Sequence, residues 1–239
     1  MGSRPTFREN LKAIGKPGVR GILLGYSFFI LQAVAFFIAA GRLDIPRALF
    51  YFGLSIVCYM VSTVVMIKLD PEIIRVRSTR HEGAKPWDKA IIATVLVMTF
   101  AAPVVAGLDV GRFRWSSVPL PYAGVGSVFF IASIAFVQWA MLTNPHFEPT
   151  VRIQKERGHK VITGGPYRYI RHPGYAGAIV LNAATPLIIG SLAALIPTGI
   201  IILALIIRTA LEDRMLRREL DGYAEYAKRV RYRLCPGVW

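Results

Sequence analysis

Apolar residues fall into long blocks at 21–40, 48–67, 90–107, 122–142, 175–189 and 192–207, divided by polar segments. Most blocks approach the roughly 20 residues that carry a helix across a hydrocarbon core of about 30 Å. A bilayer offers no water to unpaired backbone groups, so such blocks must be helical. The pattern therefore predicts an all-α, polytopic membrane bundle of about six transmembrane helices. The fifth block holds Asn182 and Pro186, which predict a short, interrupted helix. Gly190-Ser191 allows a tight reversal after it, so the fifth and sixth helices read as a C-terminal hairpin. The sixth is expected to run on through 208–220, which is rich in good helix formers, until Gly222 breaks it. Two regions follow: a four-span bundle over 1–142, and a long loop, hairpin and polar C-terminal helix over 143–239.

Composition agrees: 54% of the residues are hydrophobic and the mean hydropathy is +0.46. The formal net charge of +15 would suit nucleic acid in a soluble chain, but no basic domain is left once the spans are removed. The seven segments outside the spans carry 5, 2, 6, 2, 6, 0 and 8 Lys plus Arg in chain order. By the positive-inside rule this alternation puts both ends of the chain, the 68–89 segment and the 143–174 loop in the cytoplasm. Cys58 and Cys235 lie far apart and form neither a disulfide framework nor a metal spacing. No His or acid stands at metal-ligand spacing, and no nucleophile triad, phosphate-binding loop or dinucleotide fingerprint is present.

Chemistry concentrates in three places. The stretch 164–177 sets Tyr167, Tyr169, Arg171, His172 and Tyr175 among four glycines, directly before an apolar helix. Pro173 suits the first turn of that helix, and the free N–H groups there, with Arg171, favour an anion. Three tyrosines offer flat faces for a planar group such as adenine; the alternative is that Arg and Tyr only anchor a helix at the interface. On the sixth helix, Arg208, Glu212 and Glu219 share one face, with Asp213 adjacent. They suit either a polar ligand or juxtamembrane ion pairs. The third place is the loop Asn144-Pro145-His146-Phe147 through Gln154 to His159-Lys160-Val161. Asn182 either bonds to a neighbouring helix or lines a cavity.

Gly165-Pro166-Tyr167-Arg168-Tyr169-Ile170-Arg171-His172-Pro173-Gly174-Tyr175-Ala176-Gly177 resembles the Gly-Pro-Tyr-x-x-x-Arg-His-Pro-x-Tyr-x-Gly signature of the isoprenylcysteine carboxyl methyltransferase family, a version of which related phospholipid methyltransferases share. His159-Lys160-Val161 is similar to the family's approach to that signature. Arg208-x-x-x-Glu212-Asp213 through Gly222-Tyr223 and Tyr226 is similar to its closing segment. The likeness covers about residues 144–239. Glu212-Asp213 stands where the family often has two Glu, and Gly174 where it often has a bulky residue, which would widen the pocket.

The resemblance implies an S-adenosylmethionine-dependent methyltransferase with a cytoplasmic cofactor site at the end of a membrane bundle. It assigns Gln154, His159, Val161, Gly165, Pro166, Tyr167, Arg171, His172, Tyr175, Glu212 and Asp213 to the cofactor. Arg208 and Glu212 become the catalytic candidates, with Arg208 orienting the acceptor. The expected partners are membrane lipids and a lipophilic or prenylated acceptor entering from the bilayer, with carboxyl O-methylation favoured and neither nucleic acid nor metal involved. Phospholipid N-methylation and thiol S-methylation remain alternatives, as does a small transporter or lipid-binding protein.

Overall fold

The structure, a computed structural model, describes residues 6–79 and 83–239. Arg4 and Arg80, counted above among the basic flanks, lie outside the described residues. Helices α1 (Phe7–Ala13), α2 (Gly15–Ala40), α3 (Pro46–Leu69), α4 (Pro71–Ser78), α5 (Pro86–Gly107), α6 (Pro121–Thr143), α7 (Pro173–Ile189), α8 (Leu195–Glu219) and α9 (Tyr223–Arg229) follow in order. A π-helical turn, Leu108–Phe113, prolongs α5. Helices α3 to α7 each start on a proline, whose missing N–H would have had no partner in the first turn anyway. Gly41 ends α2 at φ 70°, where a side chain would be strained.

Among the described residues, five helices are long and apolar enough to cross a membrane: α2, α3, α5 with its π turn, α6 and α8. The sixth expected span, α7, has 17 residues and reaches about 26 Å. It is not interrupted. Asn182 turns its amide back onto Ala178 O at 2.8 Å, and Pro186 sits near the end of the helix, where little remains to be broken. The last apolar helix starts at Leu195 instead of Leu192, because Ser191 Oγ accepts from Ala194 N at 3.1 Å and holds the intervening residues in a turn.

Helices α6 and α7 pack most closely, with glycine on both sides. A Cβ on Gly126 would sit 2.9 Å from Ile188, and one on Gly177 2.5 Å from Val137. Phe36, Tyr51, Phe52, Phe130 and Ile188 form the core between α2, α3, α6 and α7. Leu24, Ile38, Leu49, Val97, Val128 and Leu203 point outward and are exposed, as a lipid-facing surface requires.

The polar segments segregate to two ends. At one, Arg47 caps α7 by donating to Leu187 O and to Ile188 O (2.9 Å), and buried Asp109 accepts from Ser116 N (2.8 Å) and Ser191 Oγ (2.5 Å). At the other gather α1, α4, the 144–172 segment, the end of α8, and α9. Asn10 donates to Lys68 O at 3.3 Å, Lys85 pairs with Glu219 at 2.8 Å, and Arg171 donates to Val230 O at 2.7 Å. A second core of Val151, Leu216, Leu220, Tyr223 and Tyr226 underlies this end.

Candidate functional site

Asp213 organises this end. Its fully buried carboxylate receives Arg171 Nε at 2.6 Å, Arg217 Nε at 3.0 Å, Arg233 Nε at 3.1 Å and Tyr223 Oη at 3.0 Å, with His172 Nε2 3.5 Å away. Arg171 also donates to Arg231 O at 2.8 Å, while the backbone N–H groups of Arg171 and His172 pair with Tyr232 O and Arg233 O. The signature stretch is thereby sewn between α8 and the segment after α9. A charge this deep persists only with such a full set of donors.

Beside that cluster lies a cavity of about 300 Å³. Of the residues expected at a cofactor site, Gln154, His159, Val161, Tyr167, Arg171, His172, Tyr175 and Glu212 line it, as does Arg208. Asp213, Gly165 and Pro166 do not. Asp213 is turned into its cluster of arginines. Gly165, at φ 52°, lies against Thr143, where an added Cβ would come within 2.6 Å of Oγ1, and Pro166 lines a shallow outer groove. Tyr169, 63% exposed, also faces away.

The walls differ in character. Tyr167 accepts from Asn144 Nδ2 at 3.2 Å, and burial pushes its phenol above the ordinary range. Gln154 spends its amide on His146 O (2.7 Å) and on Arg157 (3.0 Å), so it shapes the wall. His146 and His159 stack with centroids 4.6 Å apart. Burial, then the neighbouring His146 and Arg152, pull His159 down to about 4, so its ring is neutral at pH 7. His159 Nδ1 accepts from Gln154 N at 3.3 Å. His146 Nδ1 is buried with no hydrogen-bond partner among the described residues. Such an orphan in a cavity wall can hydrogen-bond a ligand's polar atom.

Opposite, Tyr175 Oη donates to Glu212, and Arg208 lies 5.3 Å over the Tyr175 ring. Arg208 is not free: Nε meets buried Asp88 Oδ1 at 2.7 Å, and Nη2 donates to Pro149 O at 2.6 Å. Gly174 does not widen the pocket. A Cβ there would lie 2.6 Å from the Phe147 ring, which takes the space a larger residue would fill.

Arg77, Asp88, Asn144 and His146 were missed as site residues. Arg77 and Asp88 come from the first half of the chain and meet their partners only in three dimensions. His146 and Asn144 belong to the loop from Asn144 to Val161, where nothing local in the sequence separates a wall residue from an exposed one.

A second chamber lies next to the cavity along the same helices. Val137, Ala178 and Leu205 line the cavity, and Ile134, Leu181 and Ile201, about one turn away on the same three helices, line the second chamber of about 290 Å³. That chamber is largely apolar, with Gln32 and Asn182 in its wall.

Residues 126–218 match the family model described as the isoprenylcysteine carboxyl methyltransferase (ICMT) family. A probable protein-S-isoprenylcysteine O-methyltransferase of Oryza sativa subsp. indica is 28% identical over 109 residues, 44% of this chain and 57% of the rice protein. The match thus spans little more than half of that relative. Protein-S-isoprenylcysteine O-methyltransferase B of Arabidopsis thaliana is 28% identical over 149 residues, covering 59% of this chain and 70% of its own. Among solved structures, a eukaryotic intramembrane Ras methyltransferase ICMT shares the fold, with a TM-score of 0.52 at 20% identity over 88% of this chain and 74% of that one.

Proposed function

We propose that this chain, whose residues 126–218 match the isoprenylcysteine carboxyl methyltransferase family model, is a member of that family, an integral membrane methyltransferase that uses S-adenosylmethionine to esterify the carboxylate of a lipophilic, prenylated acceptor. One observation carries the reading. Three motifs wall a single cavity, which holds a buried His146 Nδ1 without a partner among the described residues and has an apolar chamber next to it.

The residues fit the cofactor. Tyr167 gives an aromatic face, His146 Nδ1 an unused polar atom and Glu212 a carboxylate that forms no ion pair among the described residues. When bound, S-adenosylmethionine supplies a methyl group on a positively charged sulfur, and an acceptor oxygen takes it while the electron pair stays on sulfur. Glu212, oriented by the Tyr175 phenol, sets negative charge toward the donor's cationic groups. Arg208, held by Asp88, fixes the Tyr175 ring and the acceptor. Aligning reactants and excluding water matter more here than proton removal, because a carboxylate has no proton to lose. The apolar chamber takes the acceptor's tail. The end carrying the site is cytoplasmic, as the more basic segments gather there.

Titrating the purified protein in detergent with S-adenosylhomocysteine tests the cofactor half. Saturable, one-to-one binding is expected. Its absence would sink the methyltransferase reading.

A further inference from the structure

Four arginines line the cavity, and three of them are ion-paired: Arg152 with Glu148 and Arg171 with Asp213 are two. Arg208 is the third, balanced by Asp88 at 2.7 Å. Arg77, from α4, lines the same cavity yet forms no ion pair among the described residues. Its contacts are soft: Nη1 is 3.5 Å from Phe147 O, and the guanidinium lies 5.2 Å over the Phe147 ring. The other acids of the wall are engaged elsewhere. Glu148 takes Arg152 at 2.8 and 2.9 Å, and Glu212 accepts from Tyr175. Burial first, then the charge of Arg208, lower Arg77 to about 10 against the opposing pull of Glu148, which leaves it cationic at neutral pH.

The shelf under Arg77 is fixed. Phe147 packs against the start of α7 so closely that any side chain at Gly174 would strike it. Arg77 therefore stands at the junction of the cavity with the first turn of α7, whose free N–H groups also favour an anion.

We propose that Arg77 binds the carboxylate of the methyl acceptor and so selects an anionic acceptor over a neutral one. The inference rests on the methyltransferase reading and deepens it. An anionic acceptor and a cationic donor would enter a cavity whose half-buried Arg77 and Glu212 form no ion pair among the described residues, while Lys160, the other lining cation without one, is exposed. In the transfer, the acceptor oxygen forms its bond to the methyl carbon with its own electron pair, the C–S pair remains on sulfur, and no proton is released. The ester is neutral, so Arg77 loses its hold on the product, which is free to return to the lipid. Arg77 lies outside residues 126–218, so this part of the site comes from beyond the matched segment.

The test uses the full chain in detergent, saturated with S-adenosylhomocysteine and titrated with N-acetyl-S-farnesylcysteine or its methyl ester. Wild type should bind the acid at least about tenfold more tightly than the ester, a gap of roughly 1.4 kcal/mol. Arg77→Ala should erase that preference while ester and S-adenosylhomocysteine affinities stay within about twofold. Arg77→Lys should keep part of it, and in turnover KM for the acid should rise more than kcat falls. Equal affinity of Arg77→Ala and wild type for the acid overturns the assignment. So does joint loss of S-adenosylhomocysteine, acid and ester binding in both variants, the mark of a structural residue. If wild type binds S-adenosylhomocysteine but does not distinguish acid from ester, the role of Arg77 fails and the methyltransferase reading survives. If it does not bind S-adenosylhomocysteine at all, both fail.

Discussion

Glu212 and Asp213 are neighbours on α8 with the same charge, and they face two unlike regions. Asp213 looks into a closed cluster where three arginines, a tyrosine and a histidine use up its oxygens. Glu212 looks into an open cavity and, among the described residues, accepts only from a tyrosine hydroxyl, while Arg77 in the same wall forms no ion pair among them. A saturated charge holds the fold, and an unsaturated one is available to a ligand. The same contrast separates Arg171, locked by Asp213 and two carbonyls, from Arg77.

The largest expected effect breaks the closed side. Asp213→Asn leaves three arginines around a neutral amide and should cost roughly 3–5 kcal/mol of stability, as removal of one partner from a buried ionic cluster does. Denaturation in detergent measures it; a loss under about 1 kcal/mol would show that the cluster is not structural. On the open side, Glu212→Gln should change stability little but weaken S-adenosylhomocysteine or a sulfonium analogue about 10- to 100-fold, the worth of a charge-assisted hydrogen bond. Calorimetric titration of that variant and wild type decides it.

Arg208 belongs to both sides. Arg208→Ala should cripple turnover, but it also strands buried Asp88, so it should lower Tm as well. Pairing Arg208→Met with Asp88→Asn should restore much of the Tm without restoring turnover. Recovery of both would make Arg208 purely structural.

The smallest effect is in pH. His159 titrates at about 4 in the folded protein against 6.5 ordinarily, owing first to burial. Between those values the unfolded chain binds a proton that the folded one refuses, so stability should be level above about pH 6.5 and fall as pH drops toward 4. His159→Gln should flatten that part of the Tm–pH curve.

Much of the architecture was legible because the bilayer imposes it: apolar blocks become helices, and prolines at block starts become first turns. The ends of the last two helices were harder to read. Pro186 looks disruptive in a sequence, yet it is harmless where α7 has almost finished, and Ser191 delays α8 through a contact the pattern cannot display. In the site, the motifs pointed to residues that do gather, such as Tyr167, Tyr175, Arg208 and Glu212. They did not separate Asp213 from Glu212, or foresee that Phe147 fills the space beside Gly174. Those outcomes depend on partners far along the chain, as does the Asp88–Arg208 pair, whose members are 120 residues apart.

The central claim is transfer of a methyl group to a carboxylate, and the chemical stability of the product tests it most directly. The purified protein, given methyl-labelled S-adenosylmethionine and N-acetyl-S-farnesylcysteine, should yield a labelled product that alkali hydrolyses to release the label as methanol. Label that survives alkali would mean transfer to nitrogen or sulfur, and with S-adenosylhomocysteine bound but no label transferred the proposed acceptor would be wrong.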